Sequence, residues 1–475
     1  MRLVLKRLIQ LIVSSFIVSQ ASYAEILKLG YFDEKKFHVD IDRVDTYESV
    51  FLIKQTAQSL TDENRFGELV PSIASHWVIS KDRLRYTFFV RKGIKFHDGT
   101  DLTASDVVFS LSVIRDSKSN PLSPYLQNIS KIQIVDKYRL EIHLKNPSSS
   151  LLRVLSSGLA PIFSESSYLD NSKIVTTGSY VLRKNQDGWF LLPNKHYIGN
   201  YPPGTTKFKI LTNSQLTTPA DVVAFGHSKL SRPQQYKHVE VNSFVTYNFM
   251  LNPRQTEWKD RNSRLSLIRI LLDVKEHLKN DRSFDLRDIL PRGMVAHDAI
   301  ASAYQALLRE LDSSVLPPLK GKSIIIASFG PIPFFEKAAS FVKKKYDVTL
   351  INRVFDGDNF LDKLVKSKDI DVYSIGWASI FSHPDAAFIP FYRLGLESFS
   401  PEIYRVKGQA SDREELFEQF FLYRKLSRLL IEGGYILPQS QAKTVLMVSP
   451  SLTTFNSSYR YTVNLSEVQR QRMEK

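Results

Sequence analysis

Arg91-Lys92-Gly93-Ile94-Lys95-Phe96-His97-Asp98-Gly99-Thr100-Asp101-Leu102-Thr103-Ala104-Ser105-Asp106-Val107-Val108-Phe109-Ser110 sets two turns and the start of a helix within twenty residues. Gly93 and the Asp98-Gly99 pair carry turn chemistry, because both places accept backbone geometry that other residues resist. Thr103 reads as a helix N-cap, with Asp106 three residues on and Val107, Val108, Leu111 and Ile114 at helical spacing. Just upstream, Leu84, Tyr86, Phe88 and Val90 share one face of an alternating run, and Arg85 and Thr87 take the other. The unit is strand, turn, strand, turn, helix.

Working outward, Ile132-Gln133-Ile134-Val135 turns at Asp136-Lys137 and returns through Tyr138, Leu140, Ile142 and Leu144, which predicts a hairpin. Farther on, short apolar strands at Ser323 to Ala327, Val348 to Ile351 and Asp371 to Ile375 alternate with helical patterns at Phe335 to Lys345 and Phe360 to Lys366. That order predicts an α/β lobe with a largely parallel sheet. The last strong helix is expected over Asp412 to Glu432. No internal repeat or low-complexity tract interrupts the chain.

Arg2, Lys6 and Arg7 precede an apolar run from Leu8 to Val18 that is too short to span a bilayer, and Ser22-Tyr23-Ala24 offers small residues at a cleavage site. Residues 1–24 are expected to be a signal peptide, cut before Glu25. There is no cysteine, which excludes disulfides, thiol catalysis, thiolate zinc sites and a lipid-modified N-terminal cysteine. About 450 remaining residues exceed one hydrophobic core, so two or three domains are expected. The formal charge of +15 is scattered, and its densest run, Lys343-Lys344-Lys345, reads as the wet side of a helix and not as a nucleic-acid surface.

The opening stretch closely resembles the signature of the family-five bacterial extracellular solute-binding proteins, the oligopeptide, dipeptide and nickel-binding group of ABC transporter substrate-binding proteins. The resemblance continues in the family's order. Leu69-Val70-Pro71-Ser72-Ile73-Ala74-Ser75-His76-Trp77 resembles the lead-in segment, and Thr177-Gly178-Ser179-Tyr180 a strand entry. Pro193-Asn194-Lys195-His196-Tyr197, Tyr247-Asn248-Phe249, Gly376-Trp377 with Pro384-Asp385, and Ile436-Leu437-Pro438 complete the series. The resemblance implies an α/β, two-lobed periplasmic binding protein fold of type II, cluster C-like, with an extra inserted subdomain. Expected boundaries are 25–55, 177–245 and 436–475 for the first lobe, 56–176 for the insert with the signature, and 246–435 for the second lobe. It also implies a periplasmic component of an ABC importer that binds a peptide or peptide-like solute between closing lobes. The partners implied are that ligand and an inner-membrane permease. Neither catalysis, a cofactor, a metal nor nucleic acid is expected, and the chain is expected to be a monomer.

Peptide-binding members of the group carry an aspartate three residues after the tryptophan, which pairs with the ligand's free α-amino group. Trp377-Ala378-Ser379-Ile380-Phe381-Ser382-His383-Pro384 keeps the spacing from Trp to Pro and sets Ile380 in that place. A buried ammonium facing Ile380 has no counter-charge there, a loss of several kcal/mol. His383 stands where relatives usually have an acid. A neutral, acidic or N-blocked ligand is therefore expected, with Trp377, Ser379, Ile380, His383, Tyr247 and Asn248 as the ligand-binding set. Plainer roles stay open: Trp377 as strand-end packing, Asn248 as a partner for crossover backbone, and His97 as a turn or packing histidine.

Enzyme motifs are incomplete. Gly321-Lys322-Ser323 ends like a phosphate-binding loop but has Leu316 where the first glycine is required. Ser340-Phe341-Val342-Lys343 has acyl-enzyme spacing without partner motifs, and Asp356-Gly357-Asp358 lacks the remaining ligands of a calcium loop. The contrasting readings are a periplasmic sensor or scaffold that has kept the fold but not import, and, behind it, a hydrolase.

Overall fold

The computed structural model describes residues 26–32, 47–64, 66–117, 120–169, 175–200, 202–204, 206–215, 218–223, 235–241, 244–280, 283–355, 360–379, 381–395, 398–413, 416–454, 465 and 468–470. Residues 1–24, expected to be a signal peptide, and the Asp356-Gly357-Asp358 motif lie outside them. Among the described residues, two large sheets and a four-stranded one organise the chain, beside two two-stranded pairs.

The first sheet has seven strands, in the order Lys237–Val241, Thr444–Val448, Val222–Val223, Ile26–Phe32, Lys207–Thr212, Gly188–Pro193 and Tyr180–Asn185. Ile26–Phe32 pairs in parallel with Lys207–Thr212 and Val222–Val223, and the other pairings are antiparallel. Leu27, Leu29, Tyr180, Leu191, Phe208 and Ile210 close its core.

The second sheet has six strands, in the order Ser283–Asp285, Ile436–Ala442, Val245–Leu251, Val372–Ala378, Ser323–Phe329 and Thr349–Phe355. The expected alternation is present: the last three strands are parallel, joined through helices Phe335–Tyr346 and Phe360–Lys366. The sheet as a whole is mixed, however, because Val245–Leu251 brings the chain in from the first sheet and Ile436–Ala442 carries it back, both antiparallel to their neighbours. The return to the first sheet thus falls at Lys443, seven residues beyond the change of lobe expected at Ile436. The helix expected over Asp412 to Glu432 is present as Leu416–Glu432, and only its start is corrected, because Asp412 ends a preceding helix. Pro401–Asp412 and Leu416–Glu432 are separate helices, since Ser400 caps the first with Pro401 in its opening turn, and Arg413 leaves it with extended backbone.

The third unit is a four-stranded antiparallel sheet, ordered Ala74–Ile79, Arg85–Val90, Arg139–Leu144 and Ile129–Asp136, with helix Ala104–Asp116 packed on it. Tyr86, Phe88 and Val90 are buried as their alternation predicts, against Val107, Leu111 and Ile114 of the helix. Asp106 serves two elements. Its Oδ2 accepts from the Thr103 backbone N–H (2.9 Å) and hydroxyl (3.1 Å), and its Oδ1 accepts from the Glu165 N–H (3.2 Å), the first residue of helix Glu165–Leu169.

Gly178 ties three distant segments of the chain together. Its N–H donates to Thr56 O (2.8 Å), and its carbonyl accepts from Asn194 Nδ2 (2.9 Å) and lies 3.0 Å from His97 Nε2. A Cβ at this position would stand 2.1 Å from the Thr56 carbonyl carbon, so only glycine fits. His97 is accordingly a packing histidine whose burial lowers its pKa to about 4.

Candidate functional site: the crevice between the two large sheets

Strand direction locates the site. The chain passes between the large sheets twice, from Val241 to Val245 and from Ala442 to Thr444, and those residues mark the facing ends of the two sheets. Val372–Ala378 runs toward this end, since Ala378 pairs with Val245, and its parallel neighbours Ser323–Phe329 and Thr349–Phe355 run the same way. In the first sheet Ile26–Phe32, Lys207–Thr212 and Val222–Val223 also run toward the crossover, because Val223 pairs with Met447 one step closer to it than Val222 with Val448. The carboxyl ends of both parallel sets therefore lie toward the same two crossovers, the position at which open α/β sheets hold their ligands.

At this edge Tyr247 pairs with Gly376 on one side and Ser440 on the other. Its ring lies across Gly376, where a Cβ would stand 2.7 Å from Tyr247 Cε1, and the residue stays 40% exposed. Gly376 and Ala378 are exposed beside it. A β-bulge follows between Tyr247 and Asn248. Asn248 is buried, its Nδ2 donating to Thr246 Oγ1 (3.2 Å) while its Oδ1 finds no hydrogen-bond partner among the described residues.

Trp377 is half-buried, donates from Nε1 to Ala386 O (2.8 Å) and packs against both the second-lobe core and the insert core. Ser379 is buried. Its N–H donates to Phe244 O (3.1 Å), extending the strand pairing by one step, and its Oγ has no partner among the described residues. His383 is 1% exposed. Its Nδ1 accepts from Asp385 N–H (3.2 Å), its Nε2 faces Gln419 Oε1 (3.2 Å), and its ring meets Tyr423 edge-on. Burial lowers its pKa, so it is a neutral ring that braces the start of helix Asp385–Arg393 and does not open onto the crevice. Ile380 lies outside the described residues. Tyr247, Gly376, Trp377 and Ser379 thus gather on one sheet edge, and His383 stands behind it.

Two residues that the sequence did not single out complete the surroundings. Glu63 and Arg153 of the insert form an ion pair (3.2 Å) with side chains 7% and 16% exposed, and both bond Ser382 of the second lobe. No local pattern couples positions so far apart in the chain. Among the described residues, no group of three or more His, Asp or Glu side chains is arranged to hold a metal, and no helix is long and apolar enough to cross a membrane.

Residues 68–267 match the family described as bacterial extracellular solute-binding proteins, family 5 middle region. The chain is 28% identical over 210 residues to the glutathione-binding protein GsiB of Escherichia coli O6:K15:H31, covering 41% of this chain and 40% of that protein. It is 27% identical over 177 residues to the periplasmic murein peptide-binding protein MppA of Escherichia coli K12, covering 31% and 32%. In these matches the chain spans two-fifths or less of the relatives' own length. Over nearly the whole length, the fold is similar to a dipeptide-binding protein from Pseudoalteromonas sp. SM9913 in complex with Met-Leu. The TM-score is 0.72 at 18% identity, covering 94% of this chain and 100% of that one. The unliganded open form of the murein tripeptide-binding protein MppA gives 0.70 at 19% identity, covering 95% and 98%. These likenesses establish the two-lobed periplasmic binding protein fold.

Proposed function

Because its residues 68–267 match the model of the bacterial extracellular solute-binding proteins of family 5, we propose that it is a periplasmic receptor for a peptide or peptide-like small solute. It encloses that solute between its lobes and delivers it to the membrane permease of an ABC importer. Residues 1–24 act as the export signal in this reading, and the receptor works without catalysis. The observation that carries it is the convergence of both parallel strand sets on a crevice spanned by two short crossovers. Such crossovers suit a hinge, and a ligand touching both sides favours the closed form by its differential affinity.

The proposed wall in the second lobe is the Tyr247 ring, the exposed Gly376 and Ala378 edge, Trp377, Ser379 and Ile380, with the unsatisfied polar atoms of Asn248 and Ser379 just behind it. Ile380 supplies no counter-charge to an ammonium, so N-blocked or anionic peptides are the favoured chemistry. Glutathione, dipeptides and murein peptides, named for similar proteins, define the probes. The test is a thermal-shift panel of dipeptides, glutathione, their N-acetylated counterparts, sugars and metal chelates. A ligand at a hundred times its Kd stabilises the fold by about 2.7 kcal/mol. A flat response across the panel contradicts the reading.

A further inference from the structure

The turn after strand Val372–Ala378 is gripped from outside its own lobe. Ser382 Oγ accepts from Arg153 Nη1 (3.1 Å) and donates to Glu63 Oε2, while the same Arg153 nitrogen donates to Glu63 Oε1 (3.2 Å) and to Gly67 O (2.9 Å). Ser156 Oγ adds a bond to Glu63 Oε1 (3.2 Å). The serine uses both donor and acceptor inside a ring of opposite charges, and hydrogen bonds to ionised groups are roughly twice as strong as neutral ones. Neighbouring contacts follow the same seam. Phe381 is fully buried against the Tyr125 ring (5.2 Å between centroids, 87°), and Tyr125 Oη donates to Asp385 O (3.4 Å). Ser149 N–H of the insert donates to Ser411 O of the second lobe (3.2 Å).

We propose that Glu63 and Arg153 are positioning residues: acting through Ser382, they clasp the second lobe's turn from Phe381 to Asp385 against the insert and so set one wall of the crevice. The pair reaches the ligand surface only through the turn that it holds. Its consequence for affinity rests on the receptor reading above, but the clasp itself is measurable without ligand. Apolar packing at Phe381 alone leaves the charges idle, and the two explanations separate on the behaviour of charge-neutral variants.

The native chain has no cysteine, so spin labels enter cleanly. Lys131→Cys in the insert with Lys344→Cys in the second lobe reports the clasped seam, and Lys131→Cys with Asp187→Cys in the first lobe is the reference pair; all three positions are exposed. In the ligand-free protein, Glu63→Gln should raise the fraction of molecules outside the native seam distance roughly tenfold, and Ser382→Ala roughly threefold. Arg153→Lys, which keeps the charge, should restore most of the native distribution, and the reference pair should not change in any variant. Native seam distances in both Glu63→Gln and Ser382→Ala overturn the proposal. So does a loss of order at seam and reference together, which marks a general folding role. Because no ligand is present, a flat thermal-shift panel and an unchanged seam distance are separate failures.

Discussion

The Tyr247 ring rests on Gly376: the two residues are paired across adjacent strands, and a Cβ at 376 would stand 2.7 Å from the ring. Glycine here lets an aromatic face lie against the strand at the crossover edge of the sheet. Gly376→Ala should therefore lift the ring. Because the ring is partly exposed, the stability cost is small for an overpacked site, about 1 kcal/mol by urea denaturation. Affinity for any solute found in the panel should fall about tenfold or more. Tyr247→Phe, which keeps the ring, should retain most of that affinity. An alanine variant with unchanged affinity excludes the ring from the wall.

His97 makes stability depend on pH in a defined direction. Its folded pKa of about 4, set mainly by burial, lies below the ordinary histidine value of 6.5, so the unfolded chain takes up the proton first as pH falls. The contribution is complete above pH 6.5 and is lost progressively toward pH 4, by at most about 3 kcal/mol. His97→Gln keeps an N–H for the Gly178 carbonyl and removes the titration. The slope of unfolding free energy against pH between 4 and 6.5 should decrease by up to one proton; an unchanged slope refutes the assignment.

Lys275 is the main buried cation of the second lobe's core. Its Nζ donates to Leu286 O (2.7 Å), Pro438 O (2.8 Å) and Tyr304 Oη (3.1 Å) and meets Asp285 Oδ1 (2.9 Å), while burial lowers its pKa to about 8. It ties helix Arg261–Leu278 to strands Ser283–Asp285 and Ile436–Ala442. Lys275→Met fills the volume and leaves those oxygens unpaired. Chemical denaturation should show a loss of about 2–4 kcal/mol, and a neutral effect would mean that water satisfies them.

Restoring an acid in the Trp377 to Pro384 segment tests the selectivity argument. Ile380→Asp should raise affinity for free-amine dipeptides over their N-acetylated counterparts by about tenfold, as measured by calorimetry. Equal gains for both, or none, place residue 380 away from the ligand's amino end.

Much of the fold was legible because its signals are local. The Thr103 and Asp106 capping box, the hairpin around Asp136-Lys137 and the alternating strands and helices from Ser323 to Ile375 each depend on residues within a few turns of one another. The antiparallel half of the second sheet was not, since Val245–Leu251 and Ile436–Ala442 pair across nearly two hundred residues of intervening chain. The site shows the same division. Trp377 and Tyr247 could be singled out from motif segments, whereas the Glu63, Arg153 and Ser382 ring carries no periodic or spacing signal. Lys275 left one: it falls on the buried stripe with Leu271, Val274 and Leu278, where an unpaired cation is costly. His383 misled because its sequence position lies next to the turn proposed to face the ligand while its side chain is buried in the core against Gln419.

The most direct test of two-lobed reception is native mass spectrometry of the mature protein purified from periplasmic extract. The expected spectrum shows the chain beginning at Glu25 with one small molecule bound per protein, released on mild activation. A spectrum with the unprocessed chain, or with only the unliganded mass even after incubation with the peptide panel, contradicts a periplasmic receptor for small solutes.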